Sequence, residues 1–356
     1  MTVVVGRRWT TWKKDNYRLY VWVPEGKQYV EVYSFGYDGF DNNGGGAWEK
    51  YINIPITTTP SEYAQYQVVI DATNVTVHSA DGTQKAQGAV ASDFWANVKS
   101  DGLDVRVFDQ AKGQLYFWIE EFDYSNKKAV IWVNLTAGSS ELNIAYGNPS
   151  ATKSSYENGE QVFEFFDDFE GSELNTAKWD TADLYDNADI NVSNGILTYY
   201  RGDTTLSSIK TLKTFAPNTV LYAKVYYDTS YNYPAEFGFA DSQKTVPDNS
   251  AAVVRTTEDT YGAYASSGGT YSVSEGLSLD TGWTKYMLKW TDSEVAMTDG
   301  VNTRSVTSNI PTFELPLRLG NFLGGGTGNV YLQYDYIYVA KLADPADFGT
   351  STIRTF

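Results

Sequence analysis

Cysteine is absent from the 356-residue sequence, so disulfides, thiolate metal sites and cysteine nucleophiles are excluded. Histidine occurs once, as His78. A histidine-rich metal site or a serine–histidine triad would have to pass through that one residue. It stands in NVTVHSADG, at the end of a strand-like run before an Asp-Gly turn, the setting of a solvated turn histidine. Hydrolytic chemistry would therefore fall to carboxylates. No apolar run approaches the length of a membrane-spanning helix, so no membrane insertion is expected. Positive charge is scarce: 27 Lys and Arg face 44 Asp and Glu, a formal net charge of −17. Nucleic-acid backbones need cationic surface, so no nucleic-acid partner is expected. The acidic balance suits a soluble outer surface, where like charge keeps particles apart. The opening MTVVVGRRWTTWKK is not a secretory signal, because its apolar run is only Val3 to Val5 and two arginines follow. The expected location is extracellular or on a virion surface, reached after removal of a signal or by lytic release.

What the chain does hold is tyrosine (28), glycine (30) and tryptophan (10), the material of strands joined by turns. Residues 1–46 read as an N-terminal β arm, with YRLYVWVP and KQYVEVYSF alternating in the manner of strands. Trp9, Trp12 and Trp22 are its candidate assembly residues. Such an arm can complete the sheet edge of another subunit, giving self-association or contact with neighbouring virion or filament subunits; it can equally fold back on its own domain. The arm closes in GYDGFDNNGGGAW, where Asp38, Asp41, Asn42 and Asn43 could offer oxygens to calcium, although the spacing does not match the helix–loop–helix calcium motif. Residues 47–160 give a first run of strand candidates and 161–343 a second, longer run, followed by a polar tail, 344–356. The expected fold is all-β: two antiparallel, jelly-roll-like β-sandwich domains with an N-terminal β arm. In VFEFFDDFEGSE, Phe163, Phe165 and Phe169 share one face with Asp167 breaking the row; this reads as the strand that opens the second sandwich.

The segment SDGLDVRVFDQAKGQLYFWIEEF, followed by KKAVIWVNLTAGSSELNIAYGNPSA, resembles a β-sandwich domain family of unknown function found in archaeal and bacterial surface proteins. The matching motifs are the DxRxxD strand at Asp104–Asp109, a YWIE-like strand at Phe117–Glu120, the IWV strand at Ile131–Val133 and the YYGNP-like turn at Tyr146–Pro149. Ala145 departs from the family's usual aromatic. FDDFEGSELNTAKWD, GWTKYMLKWTDSEVAMTDG and YLQYDYIYVAK resemble successive parts of a concanavalin-like, laminin-G-like sandwich. That resemblance implies a structural calcium where first and last strands meet, with Asp168 and Asp335 as the matching carboxylates.

The concanavalin-like fold includes laminarinase-type glycoside hydrolases, which carry a Glu-x-Asp-x-x-Glu strand. No such string occurs in the second domain; the nearest, Glu121 to Asn126, lies in the first and ends on Asn126 where an acid is needed. There is no Gly-x-Ser-x-Gly elbow, and GGGTGN lacks the lysine of a phosphate loop. Aromatic rings pack on the apolar face of a sugar while carboxylates and amides take its hydroxyls. Tyr231, Asn232, Tyr233 and Glu236 in YDTSYNYPAEFG, with Tyr261 and Tyr264 in YGAYASSGGTY, are the candidate carbohydrate-binding residues. The expectation is a non-catalytic, exposed structural or adhesive protein with a lectin-like domain and glycan or surface-polysaccharide partners. The alternatives are a glycoside hydrolase acting on a β-glucan and a purely structural assembly subunit.

Overall fold

The structure is a computed structural model. It describes residues 2–3, 10–14, 17–21, 30–31, 40–41, 46–185, 188–202, 206–227, 236–243, 247–257, 260–278, 282–323, 329–343 and 345–356. Within these ranges the side chains of 2–31, 253–257 and 278 are not described. Two compact units emerge, Met1–Val162 with Ala343–Phe356, and Phe163–Leu342. The second is thus inserted into the sequence of the first. Both are built from antiparallel sheets, as the alternation predicts.

In the arm, β1 (Thr2–Val3) pairs with β4 (Val30–Glu31) and β2 (Thr10–Lys14) with β3 (Tyr17–Val21). Trp9 and Trp22, and the side chain of Trp12, lie outside the described residues. The first unit continues with β5 (Lys50–Thr58), β6 (Ala64–Ile70), β7 (Val75–Ser79), β8 (Gln84–Gly88), α1 (Ala91–Asn97), β9 (Arg106–Asp109) and β10 (Gly113–Gln114). After these come β11 (Phe117–Asp123), β12 (Lys128–Leu135), β13 (Glu141–Tyr146) and the short α2 (Gly159–Val162). One sheet runs β11-β12-β6-β7-β8 and the other β10-β9-β13-β5. Inward positions of β5, β6, β7, β12 and β13 (Ile52, Val68, Val77, Ile131 and Ile144 among them) form one core. On β7 the outward His78 rests between Gly82 O (3.1 Å) and Thr76 Oγ1 (2.9 Å), a turn histidine as expected.

The DxRxxD strand is a set of staples. The Asp104 carboxylate accepts from the backbone N–H groups of Lys99 (3.1 Å), Gly147 (2.7 Å) and Asn148 (3.2 Å), which ties it to the YGNP turn. Asp109 accepts from Ala111 and Lys112 with one oxygen and from Ser140 and Glu141 with the other. The buried Arg106 guanidinium donates to the carbonyls of Asp41, Leu103 and Thr152, pairs with the Asp41 carboxylate at 3.1 Å and lies over the Trp48 ring. Asp41 is therefore spent on Arg106 and on Ser154, Ser155 and Gln114, not held free for calcium. Asp38, Asn42 and Asn43 lie outside the described residues. Ala145 is buried in a cluster with Phe40, Trp48, Tyr51 and Phe108.

The second unit comprises β14 (Phe165–Asp167), β15 (Trp179–Asp180), β16 (Ala188–Ser193), β17 (Ile196–Arg201), β18 (Ser207–Phe215), β19 (Thr219–Tyr227) and β20 (Glu236–Ala240). It goes on through β21 (Asn249–Thr257), β22 (Thr260–Ser267), β23 (Thr270–Ser278), β24 (Trp283–Trp290), β25 (Val295–Thr298), β26 (Thr303–Val306), β27 (Leu315–Asn321) and β28 (Val330–Lys341). An eight-stranded sheet runs β16-β17-β28-β19-β24-β25-β26, with β14 on β28; a seven-stranded sheet runs β15-β18-β27-β20-β21-β22-β23. Leu197, Leu221, Leu288 and Leu332 of the first sheet share one core with Ile209, Phe237, Ala263 and Leu319 of the second. VFEFFDDFEGSE opens this sandwich. Phe165 and Phe169 enter the core, whereas Phe163, expected on the same face, stacks instead on Tyr338 at 4.2 Å, because β14 begins only at Phe165; buried Asp167 accepts from the Trp179 indole N–H at 2.7 Å.

The tail expected to stand apart at 344–356 instead joins the first unit. There β29 (Asp347–Phe348) and β30 (Thr352–Thr355) pair with β5, and Phe356 packs against Tyr51 at 4.8 Å between centroids. Alternation over so short a polar stretch gave no hint of a partner strand.

Candidate functional site

The register gathers many strand ends of the second unit at one end of its sandwich. Arg201 faces Val330, Ser207 faces Asn321, Gly320 faces Glu236, Thr257 faces Thr260, Thr260 faces Ser278 and Tyr226 faces Trp283. The connections β17–β18, β19–β20, β21–β22, β23–β24 and β27–β28 all start and finish here.

Glu236 opens β20 at this end and is fully buried. Its Oε2 accepts from the N–H groups of Phe322 (2.9 Å) and Leu323 (3.3 Å). Its Oε1 has no hydrogen-bond partner among the described residues. Burial pushes the carboxyl up to about 8, against the two N–H donors and the Arg201 charge, which favour the ionised form. Near neutral pH Glu236 is thus a carboxylic acid. With Oε2 accepting, the proton belongs on Oε1.

Around it lies a polar group set into an otherwise apolar core. Arg201 is fully buried and donates to Asn321 Oδ1 at 3.3 Å. Tyr199 donates to Ser207 O at 2.7 Å, and the buried Tyr334 hydroxyl has no partner among the described residues. Gly320 is required here. Its φ is +129°, and a Cβ would stand 2.9 Å from the Tyr199 ring.

The outer face of the seven-stranded sheet carries two further features. Tyr264 and Tyr271 stack at 5.6 Å with rings 15° apart, Tyr264 packed with Ala240, Ala252, Phe322 and Leu323 and Tyr271 55% exposed. Beside them the buried Arg318 donates to Asp183 Oδ2 (2.8 Å) and Ser208 Oγ (2.9 Å), while Lys210 reaches the same Asp183 oxygen at 3.1 Å. Burial alone would raise the Asp183 carboxyl; the donors Lys210 and Arg318 reverse this and hold it below the ordinary carboxylate range. Its Oδ2, shared by the two cations, locks the segment between β15 and β16.

Of the residues expected from the sequence, Tyr231, Asn232 and Tyr233 lie outside the described residues. Glu236 is not a loop ligand but a buried strand residue. Tyr261 turns inward with Ala263 and Ala265 and packs on Tyr227 at 4.7 Å, so it is core. Tyr264 stays on the outer face. Of the expected calcium donors, Asp335 is paired with Lys224 at 2.6 Å, and among the described residues no group of three or more His, Cys, Asp or Glu side chains is placed to hold a metal ion. Calcium needs six to eight oxygens. It is Asp167, not Asp168, that the fold engages deeply. Arg201 went unseen although ILTYYR carried the signal, an arginine in phase with the inward Leu197 and Tyr199.

The class these observations define is an all-β protein of two antiparallel sandwich units. Residues 101–182 match the family described as a domain of unknown function, DUF2341. That stretch holds the four motifs on which the resemblance rested, but it starts later than expected and runs past Val162 into the second unit. No curated protein matches. Among solved structures the chain is similar to a β-1,3-1,4-glucanase (lichenase) derived from a mouse hindgut metagenome, at 14% identity over 50% of this chain and 99% of that one, TM-score 0.40. It is also similar to an endo-β-1,3-glucanase from Pyrococcus furiosus (16%, 51% and 95%, TM-score 0.38) and to an uncharacterized protein from Mycobacterium paratuberculosis (14%, 49% and 99%, TM-score 0.39). These findings correct the expectation of a non-catalytic structural or adhesive protein: the similar structures are mostly glucanases and glycosyl hydrolases. The missing Glu-x-Asp-x-x-Glu string had been the main ground for setting an enzyme aside. At these identities and TM-scores the likeness transfers no activity, so a functional reading has to rest on the chemistry of the site itself.

Proposed function

We propose that the protein is a carbohydrate-active enzyme of the glycoside hydrolase kind, with Glu236 of the second unit as its proton donor. The observation that carries this reading is a carboxyl kept protonated near neutral pH, with Oε1 free of hydrogen bonds among the described residues. A glycosidic oxygen leaves as an alcohol only if it is protonated as its bond to carbon breaks, and a carboxyl held near the working pH is suited to that step. The stacked Tyr264–Tyr271 pair supports a sugar ring on the adjoining face of the sheet, Tyr271 offering the exposed ring. For Glu236 to reach substrate, the Phe322–Leu323 segment bonded to Oε2 has to lift. Cleavage also needs a second carboxylate, about 5–5.5 Å from the acid in a retaining enzyme and about 6.5–9.5 Å in an inverting one. The anomer first released reports which applies. An extracellular setting belongs to the same proposal, since polymeric glycans are met there.

The test is release of reducing ends from mixed-linkage β-glucan, laminarin and a wider polysaccharide panel. Wild-type protein turns over at least one of them, and Glu236→Gln lowers kcat by about 100-fold or more, because the amide keeps the shape but has no acidic proton to give. Tyr271→Ala raises KM with a smaller change in kcat. No turnover on any substrate, or full activity in Glu236→Gln, overturns the proposal.

A further inference from the structure

The second unit has another outer face, that of its eight-stranded sheet. Inward positions there are fixed by the core: Leu197, Tyr199, Val225, Tyr227, Tyr286, Leu288, Leu332 and Tyr334. Period-two alternation then sends Thr198, Tyr226, Trp283 and Gln333 outward. The register places these on one line across the strands. Asn191 faces Thr198, Thr198 faces Gln333, Gln333 faces Tyr226 and Tyr226 faces Trp283. One step along the strands, Asp189, Tyr200 and Tyr331 form a second line by the same pairing.

We propose that this face is a second carbohydrate platform, one that takes an extended, uncharged polysaccharide laid across the strands. Five strands at about 4.8 Å spacing give a track about 19 Å long, the reach of several sugar units. Its aromatic end is open: Trp283 is 41% exposed, and Tyr226, half-buried, lies 5.8 Å from it with rings tilted by 50°. Its other end is amide and hydroxyl, with Gln333 Nε2 donating to Thr198 Oγ1 at 3.3 Å and Asn191 exposed. Rings for the apolar face of a sugar and side-chain oxygens and amides for its hydroxyls therefore follow one another along one line. The charge beside the track is closed on itself. Lys224 pairs with Asp335 at 2.6 Å and lies 5.9 Å from the Trp283 ring centre, and Lys285, which faces Lys224, lies over the Tyr222 ring at 4.6 Å, so both cations beside the track are already engaged. A folded protein partner fits less well, because a stable interface buries about 800 Å² per side around an apolar centre. Here the apolar side chains further along the sheet, Tyr222 and Tyr338, are already buried, stacked at 5.0 Å. The aromatic end of this platform shares the Glu236 end of the sandwich but lies on the outer face of the other sheet, and the platform does not depend on the turnover proposed above.

The experiment is native gel electrophoresis of the full chain through gels containing mixed-linkage β-glucan, laminarin or no polymer. Wild-type protein is retarded by at least one polymer. Trp283→Ala and Tyr226→Ala each weaken retardation at least tenfold, while Glu236→Gln and Tyr271→Ala leave most of it. Melting temperatures of the two platform variants stay close to wild type, and their rates on short soluble oligosaccharides are unchanged. Retardation unaltered in both variants, or no retardation of the wild type by either polymer, overturns the proposal. So does light scattering that shows the substitutions merely dissociating an oligomer, which would make the face an interface between copies. Loss of turnover in Glu236→Gln with retardation intact keeps failure of one proposal distinct from failure of the other.

Discussion

The buried carboxylates of the DxRxxD region in the first unit and Glu236 in the second are supplied with donors in opposite ways. In the first, Asp104 and Asp109 collect backbone N–H groups until both are saturated, and Asp41 collects the Arg106 guanidinium, two serine hydroxyls and a glutamine amide. In the second, Glu236 has two backbone donors on one oxygen and nothing on the other among the described residues. A saturated acid fixes turns and contributes only stability. An under-supplied acid in a dry place holds a proton it can give away. The proposed proton donor therefore lies in the second unit, although the recognisable acidic motif, DxRxxD, belongs to the first.

The contrast can be broken from either side. Arg106→Ala should have the largest effect, lowering the stability of the first unit by about 3–5 kcal/mol because it takes the cation from Asp41 and leaves the carbonyls of Asp41, Leu103 and Thr152 without that donor. Denaturant unfolding followed through the first unit measures it, and a loss within experimental error would show that the staple is ornamental. Next comes the pH dependence of the second unit. Glu236 has an ordinary value near 4.5 and a folded value of about 8, so the native state binds a proton that the unfolded chain has released between those limits. Its stabilising contribution is complete below about pH 4.5 and is lost as pH rises to about 8, at up to about 1.4 kcal/mol per pH unit. Melting curves of Glu236→Gln should lack that slope; an identical slope in the variant would place its origin elsewhere. The smallest effect is expected from Phe356→Ala, about 1–2 kcal/mol in the first unit, through loss of ring contacts with Phe40, Tyr51 and Phe108. No change there would mean that the closing strand is held by its backbone ladder alone.

Much of the architecture was legible in alternation. VTVHS on β7 and ILTYYR on β17 show buried and partly exposed positions in strict turn, and VFEFFDDF opens a sandwich as its phenylalanines suggest. Sites were less legible, for a physical reason. A period of two assigns a side chain to a face but does not say whether that face meets a core, a loop or water. Tyr261 and Tyr264 sit three apart in one strand, and one became core while the other stayed outside. Trp283 and Tyr226 are ordinary strand aromatics until register lines them up across neighbouring strands. Glu236 looked like a loop ligand as part of YDTSYNYPAEFG; burial is what gave it chemical character. The roles of Asp104 and Asp109 depend on backbone N–H groups more than thirty residues away, which no local pattern encodes.

The inserted arrangement of the chain has a mechanical meaning. Lys50 pairs with Thr355 and Asn53 with Thr352, so the first and last strands of the first sandwich, β5 and β30, lie side by side and antiparallel. A tether pulling on both ends would open that ladder as a zipper, one hydrogen-bonded rung at a time. The second unit is entered and left through a similar ladder, Phe165 beside Val339.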